Sequence, residues 1–133
     1  MGISNIRSGL KARLETISSL RIFETWPEAV NQLPAAVIGL EGGEYNAGIG
    51  CAKWRFRITI LVQRADLPGA QAKLDPYLDE AGAQSIAQII EADRTLGGLQ
   101  VFAQVMEMRD YGGHDYADSK YFGANVIVEV QEV

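Results

Sequence analysis

From Ala52 to Arg64 the chain alternates in chemistry at nearly every step, and that period of two constrains its fold more than any other feature. Trp54, Phe56, Ile58, Ile60 and Val62 fall on one side of an extended strand. Lys53, Arg55, Arg57, Thr59 and Gln63 fall on the other, and Leu61 is the one break in the alternation. Such a strand buries one face against a core and presents three cations on the other, which predicts a half-covered sheet.

The flanking patterns say what covers that sheet. Ile6, Leu10, Leu14 and Ile17 recur at helical spacing, with Ser4 as the candidate N-cap and Arg7, Lys11, Arg13 and Glu15 off the stripe. Arg21 to Glu24 reads as a short strand ended by Trp26-Pro27, followed by a turn between Val30 and Pro34. Ala35 to Leu40 is a short apolar run of strand length, and Glu41 to Gly50, with four glycines, reads as a long loop. After the break at Leu67-Pro68-Gly69 two helical segments are predicted. Leu74, Leu78 and Ala81 share a face in the first, where Pro76 belongs in an opening turn. In the second, Ser85 is the cap, Ile86, Ile89 and Ile90 face inward, and Gly97-Gly98 is the stop. Leu99 to Arg109 and Tyr121 to Val130 read as two strands of a hairpin joined by a loop over 110–120. This order predicts an α+β fold: a mostly antiparallel sheet of about five strands with an N-terminal helix and two central helices packed on it.

The 133 residues suit one domain, and 47% hydrophobic with 22% charged residues is a globular composition. The longest apolar stretch, Leu33 to Leu40, is far shorter than the roughly 20 residues a membrane helix needs. No signal-peptide pattern opens the sequence, and Cys51 is the sole cysteine, so synthesis and folding in a reducing cytoplasm is the expectation. The net charge of −5 disfavours conventional nucleic-acid binding. It is unevenly spread. Residues 1–64 carry eight Lys/Arg against five Asp/Glu (+3), whereas residues 65–133 carry four against twelve (−8). Opposite halves of this kind suit a head-to-tail contact between copies.

No motif for catalysis or metal binding stands out. His114, the only histidine, lies among Asp110, Asp115 and Asp118, but the spacing fits no zinc or calcium loop and aspartates are common in turns. Ser119 beside it has no nucleophile-elbow context, and Cys51 has no nearby histidine. The glycine-rich stretch from 41 to 50 lacks the Gly-Lys-Ser/Thr ending of a phosphate loop, and Glu41 and Glu44 would repel phosphate. Accordingly no cofactor and no metal is expected. The strand from Leu99 is apolar on both sides, with Phe102, Met106 and Met108 opposite Leu99, Val101, Ala103 and Val105. A second face of that kind needs a cover, either a helix or another chain.

Several segments in succession carry a resemblance across nearly the whole chain. They are Leu10-Lys11-Ala12-Arg13-Leu14, Leu33-Pro34-Ala35-Ala36-Val37, Ala70 through Leu78, Gly82-Ala83-Gln84-Ser85-Ile86, Asp93 through Gly98, and Tyr121-Phe122-Gly123-Ala124. In that order they resemble the tail terminator (tail-completion) proteins of long-tailed bacteriophages. The resemblance implies a structural virion protein, not an enzyme: a homohexameric ring at the head–tail interface that caps the tail tube, stops its polymerisation and docks the head. Implied partners are a second copy of the chain, the tail tube protein and a head-completion or neck protein. DNA would pass through an acidic lumen without specific binding, and no membrane is involved. Lys53, Arg55, Arg57, Phe102, Met106 and Met108 are then the expected subunit interface. Glu41, Glu44, Tyr45 and Asn46 in one loop, and Tyr111, His114, Asp115 and Tyr116 in the other, are the expected contacts to tube or neck. Alternative readings are a neck protein of the same virion region, an assembly chaperone, and a small enzyme or ligand-binding domain around His114.

Overall fold

The computed structural model describes residues 2–27, 32–48, 51–65, 68–116 and 119–132, so Val30, Ile49, Gly50, Leu67 and Asp118 lie outside the described residues. In chain order the elements are α1 (Ile3–Leu14), β1 (Arg21–Phe23), β2 (Ala35–Gly48), β3 (Cys51–Arg64), α2 (Ala70–Leu78), α3 (Ile86–Ala92), β4 (Val101–Tyr116) and β5 (Ser119–Glu132). The strands form one sheet in the order β1-β2-β3-β5-β4, antiparallel throughout except for the parallel β1–β2 pair. This is the α+β fold predicted from the patterning.

All three helices lie on one face of the sheet. Ile6, Leu10 and Leu14 of α1, Leu74 and Tyr77 of α2, and Ile86 and Ile90 of α3 share a single core with Phe56, Ile58, Ile60 and Val62 of β3. Ala36 and Ile38 of β2, Val101 and Ala103 of β4, and Ala124, Val126, Val128 and Val130 of β5 join it, with Ile17, Leu20 and Leu96 from the connections. The alternation in β3 is thus realised as burial on the helix side. Leu61, the break in the pattern, sits on the opposite face in a small cluster with Ala35 and Tyr121. A register shift between Leu61 and Gln63 opposite β5 accommodates it.

Helix boundaries differ from expectation in α1, α2 and α3, the last ending at Ala92, short of the expected stop at Gly97-Gly98. Gly2, not Ser4, precedes α1, and its extended backbone lets its carbonyl accept the Asn5 and Ile6 N–H groups. Pro76 lies near the end of α2 rather than in its opening turn. Its missing N–H removes one intrahelical bond, and the helix stops at Leu78, which leaves Ala81 exposed beyond it. Ser85 does cap α3, its hydroxyl accepting the Gln88 N–H at 3.1 Å.

The largest departure concerns the two expected loops. The stretches at 41–48 and 110–116 continue β2 and β4, so both are arms of long β-hairpins. Each glycine-rich stretch contains a bulge, between Leu40 and Gly42 in β2 and between Arg109 and Gly112 in β4. Glycine lowers strand propensity, but a bulge beside a paired strand accepts it.

At Gly123 the backbones of β5 and β3 approach so closely that a Cβ would overlap the Ile60 carbonyl oxygen. Gly123→Ala is therefore expected to destabilise the domain by about 3 kcal/mol, because a backbone atom cannot move aside as a side chain can. Gly42→Ala, with open space around the new methyl, should leave the melting temperature nearly unchanged. Thermal unfolding of the two variants checks the contrast.

Candidate functional site

Three surfaces emerge once the sheet is built: the face without helices, the two hairpin ends, and the outer edge of β4. The helix-free face carries the cations of β3, but they are not all free to meet a neighbour. Glu129 of β5 stands opposite Arg55 and holds both Lys53 (3.5 Å) and Arg55 (3.3 Å). These groups are part-exposed, so each pair contributes on the order of 0.5 kcal/mol. Arg57 is exposed and forms no ion pair among the described residues. Of the three expected interface cations, then, two are committed inside the molecule. The sequence signal for Glu129 was a lone acid within Val126 to Val130, but its partners are set by strand pairing and are invisible locally.

The same face is curled. Arg109 of β4 reaches Glu41 of β2 at 3.2 Å and Glu107 at 3.0 Å, although β3 and β5 lie between β2 and β4. On a flat sheet three strand spacings separate those backbones by roughly 14 Å, so the sheet must bend toward its helix-free side. Val37 and Ile127 are fully buried there with no helix of the described residues above them. Beneath the bridge, the buried Thr59 hydroxyl donates to Asn125 Oδ1 (2.7 Å), and Asn125 Nδ2 donates to Asp110 Oδ2 (2.8 Å). Asp110 sits at the β4 bulge with a φ of 57°, and its carbonyl accepts from His114 Nε2 at 2.7 Å. Because a carbonyl can only accept, the His114 proton lies on Nε2. His114 thereby pins a bulge. Among the described residues no group of three or more His, Cys, Asp or Glu is placed to hold a metal.

The hairpin ends lie at opposite ends of the sheet. Gly48 pairs with Cys51 at one end, near Gln131, whereas Tyr116 pairs with Ser119 at the other, beyond the Arg64–Tyr121 pair. Glu44, Tyr45 and Asn46 are exposed on the first hairpin, and the Tyr45 ring meets Trp54 edge-on at 5.9 Å. Trp54 in turn donates its indole N–H to Glu132 at 2.7 Å. Asp115 is exposed on the second hairpin, and Tyr116 packs at 4.8 Å against Trp26, an exposed ring whose place in the sequence marks only the end of a strand. Glu41 and Tyr111, expected in mobile loops, belong to the body of the fold. Tyr111 packs edge-on against Phe122 and donates to Asp75 at 2.8 Å, a bond that raises its phenol above the usual tyrosine range.

On β4 the expected common face of Phe102, Met106 and Met108 does not exist. A bulge between Val105 and Glu107 shifts the alternation by one. Phe102 pairs with Gln131 on the helix-free face, under the Arg94 guanidinium at 5.1 Å. Met108 pairs with Val126 on the helix side, in a cleft with Tyr77 and Leu78. What the three share is the edge: with Tyr111 they are between 39% and 48% exposed along the sheet's outermost strand.

No family model matches the chain, and no curated protein matches its sequence.

Asn125→Ala leaves the buried Thr59 hydroxyl without its acceptor and Asp110 without its donor. A loss of about 1–3 kcal/mol is expected, read from urea denaturation as a lower midpoint with an unchanged slope.

Proposed function

We propose that this protein is a tail terminator of a long-tailed bacteriophage, a homohexameric ring that caps the tail tube, stops its growth and offers a docking surface to the head or neck. The observation that carries the reading is β4, a 16-residue edge strand that exposes Phe102, Met106, Met108 and Tyr111. A long edge with exposed apolar side chains is a template for association, and native proteins otherwise blunt such edges. The succession of segments that resembles the family supplies the kind of assembly. The opposed hairpin ends add a second support. A terminator must meet the tube on one side and the neck on the other, and exposed Tyr45 and Asp115 lie at opposite ends of one rigid sheet.

In this reading subunits contact one another through sheet edges, the hairpins are the tube- and neck-facing parts, and the finished ring resides in the virion at the head–tail interface. The acidic excess suits a lumen through which DNA slides, because like charge disfavours phosphate contacts. No step of bond making is required of the protein.

Electron microscopy of the purified protein should show six-fold rings, alone or seated on tail tubes. Added during tube polymerisation, the protein should halt elongation. Tubes that lengthen equally with and without it, together with no binding to preformed tubes, would overturn the assignment.

A further inference from the structure

A sheet that stays open has two edges, and here they differ in chemistry. Beside β4 a cleft of about 550 Å³ opens between the helices and the strand. Tyr77, Leu78, Met106 and Met108 line it with apolar surface, and its charged lining residues are all acidic: Glu80, Glu91 and Glu107. Glu91 is held by Arg94 at 3.5 Å and Glu107 by Arg109 at 3.0 Å, whereas Glu80 is exposed and forms no ion pair among the described residues. The opposite edge is β1, where Arg21 is likewise exposed and forms no ion pair among the described residues.

The fold also divides β4 into a closed half and an accessible half. The Ala103 N–H donates to the Arg94 carbonyl at 2.9 Å, the Arg94 guanidinium donates to the Ala103 carbonyl at 3.2 Å, and the Val105 N–H donates to Glu91 at 3.3 Å. Those contacts shield the edge as far as Val105. Past it, among the described residues, no hydrogen bond from outside the β4–β5 pair reaches the edge backbone, and there Met106 and Met108 are exposed.

Resting on the terminator reading, we propose that the accessible half of β4 and its acidic cleft receive the β1 edge of a second copy, with Arg21 set against Glu80. A second copy is the occupant because a cation complementary to Glu80 lies on the opposite edge of the same sheet, so both partners of the pair are present on every chain. Each chain then uses both edges once, which makes a heterologous contact that can close into a ring. The apolar floor supplies most of the association, and the charge pair sets register and rate.

The test uses the full chain with two single variants, Arg21→Glu and Glu80→Lys, both at exposed positions. Mass photometry at low salt should show each variant associating roughly tenfold more weakly than wild type. An equimolar mixture should recover wild-type assembly, because the introduced glutamate of one variant can then meet the introduced lysine of the other while native pairs form at the alternate contacts. Met108→Asp, in the cleft, should also weaken association, and mixing it with Arg21→Glu should restore one native contact per pair but no closed rings, because the remaining contact then carries both substitutions. Wild-type association of either charge variant, or no recovery in the mixture, overturns the placement. Should rings still form and cap tubes in both variants, the terminator reading stands and this interface falls. If Glu80→Lys loses tube binding but still self-associates, the tube protein is the occupant and the proposal fails. A wild-type protein that neither self-associates nor caps tubes removes both.

Discussion

The antiparallel pairing of β3 with β5 is the constraint on which the other elements depend. β3 brings the alternation that gives the sheet a buried side, and β5 brings Val126, Val128 and Val130 to the same side, directly opposite Ile58, Phe56 and Trp54. The close approach at Gly123 fixes how near the two backbones lie. Once that central pair is set, β2 and β4 have one place each, on its two flanks, and the helices have one apolar surface to cover. Most of the hydrophobic burial is on the helix side, where the helices exclude water from the central strands, with a smaller cluster of Ala35, Leu61 and Tyr121 on the other face.

Bulges then decide which side chains reach the outside. A shift of one residue in β4 exchanges faces for everything beyond it, so Phe102 and Met108 point to opposite sides of the sheet. A second bulge turns the Asp110 carboxylate toward Asn125 and leaves its carbonyl to His114. Curvature follows as well, because bulged strands bend, and the bend lets Arg109 reach Glu41 across β5 and β3. The helix-free face thus gains a cover of ion pairs where a third layer would otherwise be needed.

The legible parts of the fold were those governed by period. The α1 stripe, the β3 alternation and the Ser85 cap each depend on residues a few positions apart, and each appears as read. The long hairpin arms were not legible, since glycines at 42, 43 and 48 speak for a loop and only a partner strand holds them extended. For the candidate site, exposure along β4 could be anticipated from its doubly apolar pattern, but its faces could not, because an inserted residue leaves no mark in composition. Glu129 was missed for a related reason: its two cations come from a strand more than sixty residues away in sequence.

Pairing within the chain also changes what the charge asymmetry means. Counted along the sequence, residues 1–64 are basic, and Lys53, Arg55 and Arg57 supply three of their eight cations. Two of those three share the single Glu129 carboxylate, which offsets part of the strand's charge and leaves Arg57 unanswered among the described residues. The same pairing thins the acidic excess at the β4 cleft, where Arg94 answers Glu91 and Arg109 answers Glu107. Glu80 is the lining acid that keeps its charge unanswered among the described residues. Charge acts on a partner only where it is both exposed and uncompensated. By that criterion Arg57 at the centre of the sheet still presents its charge to a partner, as do Arg21 on the β1 edge and Glu80 in the β4 cleft.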